Sequence, residues 1–230
     1  MLPLVLLPGM MCDARLFAPQ IAAFSGVRPV ILAPISNRDN MRDLATDVLS
    51  IAPPRFALAG LSMGGIVAME ILRQAPDRIE RIAFLDTNPC AEADDAKARR
   101  VPQMDAVRNG QLAAVMREEM KPNYLVDSPR KKKILDLCMD MALELGPDVF
   151  LRQSQALMTR PDQTQTLRAA RLPTLALCGA QDELCPISRH ELIASLVPDA
   201  VLSVVANAGH MPTLEQPDAT NAALSRWLEA

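Results

Sequence analysis

Apolar residues along this chain gather in short unbroken runs rather than alternating with polar ones. Six such runs stand out: Leu4 to Leu7, Pro29 to Leu32, Phe56 to Ala59, Arg81 to Asp86, Thr174 to Gly179, and Val201 to Val205. Runs of this length without alternation predict strands covered on both faces. Between them, helical spacing appears over Leu16 to Phe24, Met41 to Ile51, Ile66 to Gln74, Ser188 to Leu196 and Leu214 to Leu228. Strands alternating with helices predict an α/β fold: a doubly wound, mostly parallel sheet of about six strands with right-handed crossovers.

The rhythm breaks at Cys90. From Ala91 to Arg171 the pattern is helical, interrupted by prolines and polar turns, and no strand is predicted. All five lysines (Lys97, Lys121, Lys131, Lys132, Lys133) and nine of the arginines lie in this stretch. The division expected is a core of residues 1–89 and 172–230, with 90–171 as an inserted helical cap. Its last stretch, Thr164 to Ala170, is expected to cover the sheet as a crossover helix.

Gly60-Leu61-Ser62-Met63-Gly64 sits between the third predicted strand and a helix. Chance alone yields roughly 0.015 such strings in a chain of this composition, so the placement is read as meaningful. A serine on so sharp a turn is forced into a strained conformation that exposes its hydroxyl above the sheet. The amides opening the helix lack partners and can hold an oxyanion.

A serine hydroxyl is a poor nucleophile at its ordinary pKa and needs a base and an orienting acid. Open parallel sheets gather function at the carboxyl ends of their strands, so partners are sought there. His210 follows the last strand in Asn207-Ala208-Gly209-His210-Met211-Pro212, whereas His190 falls in a helix and reads as a surface or half-buried residue. Asp182, after the fifth strand, is the assigned acid. Glu183 beside it should point elsewhere, and Asp86, at the tip of the fourth strand, is the alternative acid. The oxyanion donors expected are the amides of Met63 and Met10, with Met11 as alternative to Met10; Met11 and Met211 are expected to line the substrate pocket.

Composition narrows the classes. Half of the 230 residues are hydrophobic and the net charge is −3, which gives no reason to expect nucleic acid or an anionic membrane as partner. The apolar run at Leu2 to Leu7 is too short for a signal or a span, so a cytoplasmic protein is expected. Five scattered cysteines without a C-x-x-C pair, and only two histidines, predict reduced thiols, no metal and no cofactor.

Leu6-Leu7-Pro8-Gly9, Gly60 to Gly65, Gly179-Ala180-Gln181-Asp182 with Pro186, and Asn207 to Pro212 together resemble the α/β-hydrolase superfamily. The resemblance is to the small-molecule branch with a helical cap, which includes carrier methyl esterases, enol-lactonases and C–C hydrolases. It implies a Ser62–His210–Asp182 triad. Two departures accompany it: Pro8-Gly9 stands where members often have His-Gly, and the usual first hairpin is missing. The second makes Val30 to Leu32 a sheet edge, through which a homodimer could pair; a monomer is the other expectation.

The function expected is hydrolysis of a small or medium carboxylic ester or thioester through an acyl-serine. The alternatives are elimination or C–C cleavage with the triad as base, and a non-catalytic ligand receptor on the same fold. The methionines Met104, Met116, Met120, Met139, Met141 and Met158 supply soft apolar surface in the cap. Arg130-Lys131-Lys132-Lys133 is expected to be a solvated helix start. Its sharper reading is a docking face for an acidic carrier protein or coenzyme A.

Overall fold

The six apolar runs are six strands in one parallel sheet of order β2-β1-β3-β4-β5-β6. The computed structural model describes residues 1–120 and 124–230; Lys121 of the cap lysines lies outside them. In chain order the elements are β1 (Leu4–Leu7), α1 (Ala18–Phe24), β2 (Val30–Leu32), α2 (Met41–Ile51), β3 (Phe56–Leu61), α3 (Met63–Gln74) and β4 (Ile79–Leu85). Then come α4 (Asp94–Arg108), α5 (Leu112–Ala114), a π-helical turn (Val115–Met120), α6 (Lys131–Met158) and α7 (Thr164–Ala169). The chain closes with β5 (Thr174–Gly179), α8 (Ile187–Leu196), β6 (Val201–Val205), α9 (Pro212–Glu215) and α10 (Pro217–Glu229).

Side chains alternate across the sheet and both faces are covered. Val5, Leu7, Leu58, Ile82 and Phe84 pack on one side with α2, α3 and α8. Leu4, Leu6, Leu61, Leu85 and Leu177 pack on the other with α1 and α10. Each such side chain taken from water stabilises by about 1.5–3 kcal/mol. Only the outermost strands escape cover: β2 is half-buried, and β6 at the opposite edge leaves Val201 60% exposed.

Several boundaries differ from the sequence reading for local reasons. The first helix opens as a 3-10 turn at Ala14–Phe17, capped by the Asp13 carboxylate on the Arg15 amide. The last helix is two, because Pro217 has no N–H to continue from α9. Helix α3 starts at Met63, immediately after the serine. Inside α6, Gly146 takes φ 81° ahead of Pro147, so two helical lengths meet at a kink.

The helices between β4 and β5 join both apolar clusters. Met104, Val107, Met116 and Phe150 belong with the α2–α3 side, and Ile134, Cys138 and Met141 with the α10 side. They therefore lie across both layers rather than on one face. Helix α7 packs on α3 and α8, as a crossover helix should.

Strand order reverses direction between β1 and β3, where the loops after those two strands come together. A Cβ on Gly64 would lie 2.6 Å from the Pro8 carbonyl oxygen, and nearer still to that of Leu7. One on Gly60 would lie 2.6 Å from the Gly65 nitrogen. Backbone is in the way in both cases, so no rotamer change relieves the overlap. Gly64→Ala is expected to lower the thermal midpoint by about 5 °C or more; a melting curve that superimposes on the parent's would deny the contact.

Candidate active site

Ser62 leaves β3 with φ 54° and ψ −116°, a left-handed conformation that serine avoids without compensation. Compensation comes from all sides. The Ser62 N–H donates to Leu85 O at 2.8 Å, and its carbonyl accepts from Gly65 and Ile66 N–H and from Thr87 Oγ1 at 2.7 Å. The Met63 and Gly64 amides are the first of α3 and have no intrahelical partner. Met11, Asp86 and Asn207 are also left-handed, at the ends of β1, β4 and β6. Four of the five non-glycine residues with positive φ among the described residues thus lie past the carboxyl ends of strands; the fifth, Asp199, precedes β6.

Ser62 Oγ lies 2.9 Å from His210 Nε2, and His210 Nδ1 lies 2.8 Å from Asp182 Oδ2. The other oxygen of Asp182 accepts the Leu184 and Cys185 amides. Burial works to raise the Asp182 carboxyl, but the adjoining His210 ring and these hydrogen bonds outweigh it and hold it at about 2. A carboxylate so placed can fix the imidazole tautomer, leaving Nε2 to take the serine proton.

Asp86 behaves oppositely. It is fully buried, with Oδ1 accepting the Gly179 amide at 2.9 Å. Burial first, and then the charge of Asp182, push its carboxyl well above the usual range. In its neutral form it can donate to Asp182, which favours the ionised state there. Two neighbouring carboxyls are thereby driven apart, one charged and one neutral. His210 bonds the charged one. Glu183 is exposed and makes no part of this chain of bonds.

The His210 loop is held by residues that the sequence reading passed over. Glu215 Oε2 accepts the Gly209 and Met211 amides, and its Oε1 accepts that of Val126. The His210 N–H donates to Tyr124 O at 2.7 Å, and the Tyr124 ring lies 5.5 Å from the imidazole. A Cβ on Gly179 would fall 2.7 Å from the Ala208 carbonyl carbon, so β5 can approach this loop only through glycine. The one signal for Glu215 was a carboxylate in an otherwise apolar turn five residues past the histidine.

Among the expected oxyanion donors, Met11 is excluded: its amide donates to Gln153 Oε1 at 2.8 Å. Gln153 also donates to Ile35 O, which bolts α6 to the loops after β1 and β2. Met10 and Met63 remain, both side chains buried. Met11 and Met211 are also buried, Met211 with its sulfur 3.6 Å from Cys138 Sγ. Ser62 itself is partly exposed.

Asp182, Cys185 and His210 bring one ligand atom each within 4.8 Å of one another. They do not fit a metal: Asp182 and His210 already bond each other, and burial pushes the Cys185 thiol well up, away from the thiolate a metal needs. Burial likewise raises Cys178 to about 12. Arg130 caps α6 and Lys131 to Lys133 open it; Arg130, Lys132 and Lys133 are exposed and Lys131 half-buried, with Lys132 pairing with Asp136 and Lys131 with Asp127. No helix among the described residues is long and apolar enough to cross a membrane.

A family model described as the alpha/beta hydrolase family matches residues 4–223. A pimeloyl-[acyl-carrier protein] methyl ester esterase of Pectobacterium carotovorum is 27% identical over 185 residues, 78% of this chain and 72% of that protein. Among solved structures, a thermophilic esterase from Thermogutta terrifontis superimposes with a TM-score of 0.91 at 26% identity, covering 100% of this chain and 90% of its own. The enol-lactonase of Burkholderia xenovorans, at 20% identity, shares the fold with a TM-score of 0.89, covering 100% of this chain and 92% of its own.

His190 is neither at the surface nor half-buried, as the sequence suggested, but fully enclosed; its Nε2 accepts the Thr87 amide. Burial lowers its pKa from the ordinary 6.5 to about 4. Because the folded value lies below the unfolded one, the folded state binds fewer protons in between. Stability from this group is complete above pH 6.5 and drains away as pH falls toward 4. Between pH 7.5 and 5 the loss should be about 2 kcal/mol. Urea titrations of the parent and of His190→Gln check it: the variant should lose much of this pH dependence, and equal slopes would show that His190 is not the group responsible.

Proposed function

The chain belongs to the alpha/beta hydrolase family, and from that premise we propose that it hydrolyses small or medium carboxylic esters, or thioesters, through an acyl-Ser62 intermediate. The observation that carries this is the unbroken sequence of contacts Ser62 Oγ, His210 Nε2, His210 Nδ1, Asp182 Oδ2 at 2.9 and 2.8 Å. His210 takes the Ser62 proton as the oxygen attacks the acyl carbon. The amides of Met63 and Met10 receive the oxyanion, each such donor contributing about 3–4 kcal/mol. The proton then passes to the leaving alcohol or thiol as its bond to carbon breaks. Water, deprotonated by His210, releases the acid and restores the serine.

Residues 90–171 act in this reading as the cap that shapes the acyl site. The esterase names among the relatives support the ester class, and the carrier-protein substrate of one of them bears on Arg130–Lys133. An acidic carrier would meet that run at the start of α6.

Stoichiometric labelling of Ser62 by a fluorophosphonate, with turnover of p-nitrophenyl butyrate, tests the nucleophile; Ser62→Ala retaining that turnover would sink the proposal. Asp182→Asn should lower kcat by about 10³–10⁴, while Asp86→Asn, replacing a neutral acid by a neutral amide, should stay within about tenfold of the parent. The reverse order would move the acid to Asp86. Neutralising all of Arg130–Lys133 should slow a carrier-linked ester more than a free short ester; equal slowing removes the carrier from the reading.

A further inference from the structure

A buried cluster of arginines lies beside the candidate oxyanion loop, and its charge is not balanced by the acid within it. Glu92, in the loop after β4, is 6% exposed. It pairs with Arg160 at 3.0 Å and with Arg100 at 3.3 Å. Two guanidiniums, 9% and 16% exposed as side chains, thus share one carboxylate. Arg189 of α8 reaches the same corner, its Nη1 3.8 Å from Cys90 Sγ. Arg160 spends Nε on the Cys90 carbonyl. Arg100 Nε is buried and meets no acceptor among the described residues.

The cluster reaches the loop after β1 through Arg100. Arg100 Nη1 approaches Met10 Sδ at 3.8 Å, and Met10 follows Gly9, on which a Cβ would lie 3.6 Å from Ser62 Cβ. On the other flank, the charges of Arg160 and Arg189 act on the Cys185 thiol, whose amide holds Asp182. Arg100 likewise acts on the Tyr124 hydroxyl, whose ring faces His210. Positive charge therefore borders the site on the Met10, Tyr124 and Cys185 sides.

Two guanidiniums on one carboxylate leave the cluster with a net positive charge. Burying a second guanidinium, with an N–H left without an acceptor, disfavours folding unless an anion joins it. Burial and the neighbouring Arg100 both work against the charge of Arg160, with Glu92 supporting it between them. A planar, forked donor set is suited to a carboxylate.

We propose that Arg100, backed by Arg160, binds a carboxylate borne by the substrate, so that the ester opened at Ser62 is a half-ester of a short dicarboxylic acid. This rests on the reading of the chain as an ester hydrolase. Glu92 is then a positioning residue that holds the two guanidiniums together against their repulsion.

The test compares monomethyl adipate with methyl hexanoate, equal in acyl length and differing in the terminal carboxylate. The kcat/KM ratio should favour the half-ester by about tenfold or more in the parent enzyme. Arg100→Gln should bring that ratio down at least about tenfold, and Arg100→Lys should restore part of it. A merely structural arginine would lower both esters together and leave the ratio where it was, which would overturn the proposal. Calorimetric binding of monomethyl adipate to Ser62→Ala protein gives a readout that needs no turnover. Binding that is lost in the Ser62→Ala, Arg100→Gln double variant supports the anion site even if no ester is cleaved. Absence of binding to the single variant overturns it, whatever the parent does with neutral esters.

Discussion

The arrangement depends on backbone touching backbone where β1 and β3 end. Gly64 lies against the carbonyls of Leu7 and Pro8, and Gly60 against the first turn of α3. That proximity sets how far the Met10 amide can stand from Ser62. It also explains why the serine tolerates its left-handed conformation: its amide and carbonyl are held by Leu85, Thr87 and the opening turn of α3. Strain at one residue is balanced by hydrogen bonds from β4, from Thr87 just past it and from the first turn of α3.

A second layer of control is electrostatic. Asp182 and Asp86 are neighbours, and burial would drive both toward neutrality. Only Asp182 has an imidazole and two amides on it, so the charge settles there. Asp86 is left with the Gly179 amide and a pKa raised by burial and by its charged neighbour. One carboxylate per histidine is thus a product of position rather than of residue type. Glu215 does a related task for the loop, using a buried carboxylate to gather three amides.

The six strands and the residues at their ends were legible in the sequence because each rule is local, whereas the spatial order of the strands came from the structure. Four-residue apolar runs read as covered strands, and Gly-Leu-Ser-Met-Gly reads as a sharp turn wherever it falls between strand and helix. What stayed hidden was set by contacts distant in the chain. That Met11 is unavailable as a donor depends on Gln153, 142 residues away. His190 looked like an ordinary helical residue because its partner, the Thr87 amide, is 103 residues earlier. The break between α9 and α10 was written at Pro217 but masked by apolar spacing that ran across it. The helices from 90 to 171 lack any such motif, and their role had to come from where Arg100, Gln153 and Arg160 land.

Gln153 bears on how such a protein could be rebuilt. Its amide spans the Met11 N–H and the Ile35 carbonyl, so one α6 side chain completes two loops of the sheet layer. A helical segment transplanted from a relative would therefore bring more than a new pocket wall. Unless the graft carried an amide at the same height, Met11 would regain a free N–H beside Met10, and the loop could offer two donors in competition. Modularity in this architecture has a seam, and it runs through a single glutamine.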